Sequence, residues 1–219
     1  VDCPFPGDYN VSNCLAALSA AFYGLGITPQ KIREGIAQTR GVPGRMEHIN
    51  LGQHFTALVD FAHTPNALRA AIESLRKSTS GRVIAVFGSA GLRDREKRAM
   101  MAQVSTHLAD LTILTAEDPR TESLDDILEE MARAAVDEGG VEGETFFRIP
   151  DRGEALQFAV DQAHDGDLVA AFGKGHEQSM CFGTIEYAWD DRTAMRAALA
   201  HRLGIPGPEM PVLPTAEKK

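Results

Sequence analysis

A repeated figure constrains this chain more than any other feature. A short apolar run stops in a turn rich in glycine and charge, and a helical pattern follows. The clearest copy is Leu168-Val169-Ala170-Ala171-Phe172, which gives way to Gly173-Lys174-Gly175-His176-Glu177. Five apolar residues without polar alternation read as a buried strand. Glycines at 173 and 175 let the backbone approach a ligand closely, and the N–H groups of such a turn can hold an anion. Lys174 adds a point charge, and Glu177 can accept hydrogen bonds from an ammonium group. An ordinary turn with a solvated lysine and glutamate is the alternative at this point.

The figure recurs along the chain. Phe55 to Phe61 reads as a strand ending in Asp60, followed by Ala62-His63-Thr64-Pro65. Arg82 to Phe87 runs into Gly88-Ser89-Ala90-Gly91 and then Leu92-Arg93-Asp94, and Leu111 to Thr115 runs into Ala116-Glu117-Asp118-Pro119-Arg120. Helical spacing fills the gaps: Thr64-Pro65 to about Lys77, Asp94 to Leu108, Ser123 to Val136 and Asp151 to Ala163, with Ser123 and Asp151 as caps. Met46 to Leu51 and Thr145 to Ile149 read as further strands, Cys181 to Tyr187 as a last edge strand and Asp190 to Arg202 as a last helix. This alternation predicts an α/β fold with an open, doubly wound, mostly parallel Rossmann-like sheet. Ligands bind such sheets beyond the carboxyl ends of the strands. Four loops there carry both signs of charge, which suits a small zwitterionic or anionic ligand, with the helix start near Asp94 adding positive potential.

Ahead of the sheet, Tyr9 to Leu25 has helical spacing, Gly26 suits the position after a helix end, and Thr28-Pro29 reads as a cap and first turn of a second helix reaching about Gln38. Gly41-Val42-Pro43-Gly44 breaks the pattern. The expected organisation is a short helical segment over 1–42, the α/β domain over 43–203 and a disordered tail over 204–219.

Lys and Arg number 22 against 31 Asp and Glu, a net charge of −9, which argues against nonspecific nucleic-acid or anionic-membrane binding. The three cysteines, Cys3, Cys14 and Cys181, form no CxxC pair, so a reducing, cytoplasmic setting is expected rather than a disulfide framework or zinc site. No apolar run approaches the ~18 residues of a membrane span. GxxxxGK[ST], strand-borne GxGxxG, GxSxG and HExxH are all absent, so the sequence shows no phosphate cradle of its own. The opening Val1-Asp2-Cys3-Pro4 is neither a starting methionine nor a signal peptide, and the chain reads as part of something longer.

Six motifs in order carry a resemblance. Gly7-x-Tyr9-Asn10-Val11-x-Asn13-x-Leu15-Ala16-Ala17, Val42-Pro43-Gly44-Arg45-Met46-Glu47, Val59-Asp60-Phe61-Ala62-His63-Thr64-Pro65, Gly91-x-Arg93-Asp94-x-x-Lys97-Arg98, Asp118-Pro119-Arg120 and Gly173-Lys174-Gly175-His176-Glu177 follow one another as in Mur ligases of the MurE type. These are ATP-dependent ligases that add the third peptide residue to UDP-N-acetylmuramoyl-L-alanyl-D-glutamate. The resemblance covers residues 7 to 203. It implies the end of a central domain plus a complete C-terminal domain, with the ATP phosphate loop and Mg2+ ligands upstream, so that this part alone does not catalyse ligation. It also implies Asn10 and Asn13 at the adenine, Arg45 at the nucleotide phosphates, Asp60 at the ribose hydroxyls, and His63 either at the phosphates or bracing the loop. Arg93, Asp118, Arg120, Gly173 and Glu177 match the pocket for the incoming diamino acid.

The competing assignments are helix packing for the asparagines, a hinge ion pair for Arg45, capping for Asp60, and a surface ion-pair network for the pocket. Lys97 and Arg98 are open to reading as solvated. Leu92 stands where the family has Asp, Asp118 where it has Asn, and Phe61 where it has Tyr. Arg120 favours a distal carboxylate, hence meso-diaminopimelate, whereas the charge of Asp118 favours lysine or ornithine. A noncatalytic Mur-type binding module and an amide ligase acting on another peptide are the alternatives.

Overall fold

The computed structural model describes residues 9–39 and 41–216. Cys3 and Gly7 lie outside them. The chain divides into two compact units, 1–42 and 43–219.

In the first unit, α1 (Tyr9–Ser19) continues into a π-helical turn at Ala20–Gly24, so the helix expected to reach Leu25 closes with a wider last turn. Gly26, at φ 65°, ends it by donating to the Phe22 carbonyl. In α2 (Pro29–Gln38), Thr28 is extended and Pro29 occupies the first turn, but the Thr28 hydroxyl makes no cap bond.

The second unit holds a six-stranded sheet in the order β1-β2-β6-β3-β4-β5. Its strands are β1 (Glu47–His48), β2 (Thr56–Asp60), β3 (Val83–Phe87), β4 (Leu111–Leu114), β5 (Phe146–Arg148) and β6 (Leu168–Phe172). Only β1 is antiparallel to its neighbour. The helices are α3 (Pro65–Arg76), α4 (Glu96–Leu108), α5 (Leu124–Asp137), α6 (Arg152–Gln162) and α7 (Asp191–Leu203). Alternate strand residues face opposite layers. Leu58, Ala85, Phe87 and Ala170 pack with Leu68, Ile72, Met101 and Met131 of α3–α5, while Val59, Val86 and Ala171 pack with Leu156, Val160, Met195 and Leu199 of α6 and α7. Because both faces are covered, β3 and β6 are apolar throughout their length, and the one polar residue of β4, Thr112, shares a hydrogen bond with Ser105 at 2.6 Å. The fold is the doubly wound α/β sheet read from the alternation.

The side chains of Thr64, Ser123, Asp151 and Asp190 each accept a backbone N–H in the first turn of α3, α5, α6 and α7. Asp94 accepts the N–H of Glu96, so α4 begins two residues later than its charge pattern suggests.

Three expectations change. The strand expected over Met46–Leu51 keeps only Glu47 and His48, because Asn50 accepts the Gly52 N–H and Gln53 folds back onto the Ile49 carbonyl, turning the chain. The single edge strand expected from Cys181 to Tyr187 is a separate hairpin, β7 (Ser179–Phe182) and β8 (Ile185–Ala188), bent at Gly183 with φ 62°. The tail expected to be disordered packs on the domain as far as residue 216: Leu213 is buried, and Thr215 donates to the Asp151 carboxylate.

Candidate ligand-binding rim

Register fixes which loops meet. β6 lies between β2 and β3, with Asp60 opposite Phe172 and Val86 opposite Ala171, and Phe87 lies opposite Leu114. Four chain segments therefore leave the sheet along one edge. Arg152, fully buried at the start of α6, ties two of them together. Its Nη1 donates to the Ala116 carbonyl at 3.1 Å and its Nη2 to the Phe172 carbonyl at 2.8 Å, while Nε and Nη2 hold Asp191 at 2.7 Å each. Burial alone would pull the Arg152 pKa down; the charge and hydrogen bonds of Asp191 outweigh it and hold the pKa above the usual value.

Lys174 sits at the centre of the rim, 2% exposed. Its Nζ donates to both oxygens of Asp118 at 3.0 and 3.1 Å and forms an ion pair with Glu177 at 2.7 Å. The Cys181 N–H also donates to Asp118, at 2.9 Å. Arg120 joins the same loop to the β7–β8 hairpin through backbone bonds with Cys181 and Gly183, and its Nη1 donates to the Gly91 carbonyl at 2.9 Å. Asp118, Arg120, Gly173, Lys174 and Glu177 thus form one cluster. Arg93 is exposed in the neighbouring loop, and no hydrogen bond or ion pair engages it among the described residues.

Beside this cluster is a second one. The Asp60 carboxylate accepts the N–H groups of Met46 and Ala62, each at 2.9 Å, so it braces two loops and leaves one lone pair on each oxygen. It does not cap α3, a role taken by Thr64. The Arg45 guanidinium lies 4.2 Å from the Phe61 ring centre, a cation–π contact rather than a hinge ion pair. The same ring packs against His63 and His176, with centroids 4.6 and 5.0 Å away. Nδ1 of His63 donates to the Phe61 carbonyl at 2.9 Å, and Lys97 donates to the His63 carbonyl at 3.0 Å. Asn10 and Asn13 lie in the first unit, where Asn13 donates to the Asn10 side chain at 3.0 Å.

Backbone strain concentrates here. Among the described residues, the non-glycine positions with left-handed φ are Met46, Leu92, Asp118 and Arg120, at 45°, 55°, 41° and 53°. All four lie in the rim loops, and conformations of this kind cost of order 1 kcal/mol or more each. Such strain gathers where a ligand has to be met.

Sequence reasoning missed three parts of this architecture. Arg98 is not solvated: at 1% exposure it binds Glu122 and Glu130 at 2.7 and 3.0 Å. Glu122 in turn accepts the Leu92 N–H at 2.5 Å, which shapes the loop carrying Arg93. That backbone bond, with Arg98, holds the Glu122 pKa below the carboxylate norm. Nothing in the local sequence marks Arg152, beside the capping Asp151, or Glu117, at 6% exposure, as buried. Burial pushes the Glu117 pKa up to about 7, against the lowering charges of Arg152, Lys97 and Lys174.

The Mur ligase, glutamate ligase domain family matches residues 44–175, the stretch that carries both clusters except His176 and Glu177. The chain belongs to the Mur ligase family. It is 45% identical over 194 residues to a UDP-N-acetylmuramyl-tripeptide synthetase of Roseiflexus sp. (strain RS-1), covering 89% of this chain and 38% of that protein. It is 40% identical over 204 residues to the UDP-N-acetylmuramoyl-L-alanyl-D-glutamate--2,6-diaminopimelate ligase of Geobacillus kaustophilus (strain HTA426), covering 92% of this chain and 40% of that one. A solved structure of a ligase with that second name superposes with a TM-score of 0.69 at 36% identity, over 93% of this chain and 40% of the other. This Mur ligase chain therefore spans about two fifths of the length of the relatives it matches.

Proposed function

We propose that this chain is the amino-acid-binding and nucleotide-closing part of an ATP-dependent carboxylate–amine ligase of peptidoglycan synthesis. The longer protein would join a diamino acid to UDP-N-acetylmuramoyl-L-alanyl-D-glutamate. The observation that carries this reading is the cluster around Lys174, in which Asp118, Arg120, Gly173 and Glu177 meet on one strained rim. Arg93 and Arg120 present guanidinium groups for carboxylates, and Glu177, at 41% exposure, accepts from an ammonium.

ATP with Mg2+ supplies the activation of the acceptor carboxylate as an acyl phosphate. Asp60 fits the nucleotide: its two remaining lone pairs suit vicinal hydroxyls. Arg45 beside it fits phosphate oxygens, and His63, whose Nδ1 is engaged by the Phe61 carbonyl, braces the loop. The phosphate loop and metal ligands are assigned to the upstream domain. In the ligation step the amine forms a bond to the acyl carbon, phosphate leaves, and the amine sheds a proton. The share of this chain is to hold that amine at about 3–3.5 Å from the carbon, which is catalysis by positioning.

Among diamino acids, meso-diaminopimelate is the first candidate. Lys174 takes up both oxygens of Asp118, so the extra charge that favours lysine or ornithine is largely neutralised, whereas the Arg120 fork keeps donors to spare. Full-length protein with ATP, Mg2+, the UDP-linked dipeptide and each amino acid in turn tests the reading. Tripeptide product identified by mass with one of them supports it. Nucleotide turnover with another peptide acceptor alone, or none at all, would replace it with one of the alternatives.

A further inference from the structure

Glu117 lies three residues beyond the end of β4, and its place is unusual. Among the described residues, its Oε2 is buried without a hydrogen-bond partner, as is the hydroxyl of Ser89 just after β3. Two glycines make room for it. A Cβ on Gly88 would lie 2.7 Å from the Glu117 Cβ, and one on Gly173 would lie 2.9 Å from the Glu117 Cδ and closer still to Oε2. The carboxyl therefore fills the space that a side chain at 173 would take, directly behind the turn that carries Lys174 and Glu177.

The charged groups around it come from every neighbouring element: Arg152 of α6, Lys97 of α4, Lys174 of the turn after β6, and Asp118 of its own loop. Arg152 is already matched by Asp191. Lys174 is shared by Asp118 and Glu177. When Glu117 is ionised, three carboxylates compete for that one buried ammonium. When it is protonated, two do.

We propose that Glu117 is a positioning residue of the amino-acid pocket, which acts through Gly173 and Lys174 to set how much of the Asp118 and Glu177 carboxylates is free for an incoming ammonium group. The inference rests on the pocket reading above. Ionised Glu117 draws Lys174 toward itself and leaves the pocket one charge more negative, so an ammonium ligand binds better. By linkage the ligand favours the ionised form, and binding near neutral pH releases part of a proton from Glu117 to the buffer. Burial sets that titration near pH 7, inside the working range.

The test is calorimetric titration of the chain with L-lysine and with meso-diaminopimelate between pH 6 and 8, in two buffers of different ionisation enthalpy. Whichever binds is expected to tighten about fivefold across that range with proton release near pH 7, and Glu117→Gln is expected to bind with a flat profile and no release. The carboxyl 13C shift of Glu117 in the unaltered chain is the second readout, and its midpoint should fall when the ligand saturates. An equal pH slope in both proteins, or a midpoint that ligand does not move, overturns the role of Glu117 while leaving the pocket standing. Absence of binding by either amino acid at any pH overturns the pocket itself.

Discussion

Gly44 and Gly175 pack backbone against backbone. A Cβ on Gly44 would lie 2.6 Å from the Gly175 carbonyl oxygen and closer still to its carbonyl carbon, and one on Gly175 would lie 2.8 Å from the Gly44 carbonyl oxygen. The first glycine leads into Arg45 of the Asp60 cluster, and the second lies between Lys174 and Glu177 of the other. The two clusters are thus held together by a contact that only glycine permits.

Gly44→Ala is expected to destabilise the chain by about 2–4 kcal/mol, since its φ of 66° and the facing backbone both oppose a methyl group. Gly143→Ala is the control: φ is 87°, but a Cβ there meets nothing within 4 Å, so only about 1 kcal/mol is expected. Urea unfolding of both variants separates the two costs, and equal losses would show that the Gly44–Gly175 contact is not tight.

Lys174→Met is expected to cost about 2 kcal/mol. Its ammonium is buried, but Asp118 and Glu177 retain 17% and 41% exposure, which cuts the penalty of leaving them unpaired. Adding Asp118→Asn should recover part of that loss, because asparagine keeps the left-handed φ of 41° without the charge. A double-mutant cycle by chemical denaturation measures the coupling, and strict additivity would contradict the pairing.

Arg152→Ala removes the fully buried partner of Asp191 and the donor to Ala116 and Phe172. The expected loss is about 3–5 kcal/mol, with amide exchange accelerated at residues 116–118 and 172–174 before the rest of the sheet. Uniform acceleration would mean that Arg152 steadies the domain and not the rim in particular.

Glu117 gives stability a definite pH sign. Its pKa is raised when folded, so below about pH 4.5 both states hold the proton and there is no penalty. The cost grows between 4.5 and about 7 and is complete above, reaching about 3 kcal/mol. Glu117→Gln should therefore gain on the unaltered chain as pH rises through this window. Thermal melts at pH 5 and pH 8 check it, and a stability difference independent of pH would contradict the burial of an ionisable group there.

The doubly wound sheet was legible because its signals are local: unbroken apolar runs such as Leu168–Phe172, caps at Ser123 and Asp151, helix starts at Thr64-Pro65 and Asp190, and glycines after strands. The gathering of Asp118, Arg120, Gly173 and Glu177 was legible from motif order. Pairings over long sequence separation were not. Nothing near Lys174 announces that its partner lies 56 residues away at Asp118, so it read as a free charge. Arg98 has the composition of a surface helix residue, and only the α4–α5 packing buries it against Glu122 and Glu130. The tail failed for the opposite reason: Leu213 anchors a stretch whose proline and charge content signals disorder.

The central claim is that one rim of this sheet takes an amino acid. Amide shift mapping of the chain with meso-diaminopimelate, lysine and ornithine tests it most directly. At least one of the three should shift Asp118, Arg120 and Gly173 to Glu177 while leaving α5 and the β5 edge unmoved. Shifts confined to other surfaces, or none with any of the three, would contradict it.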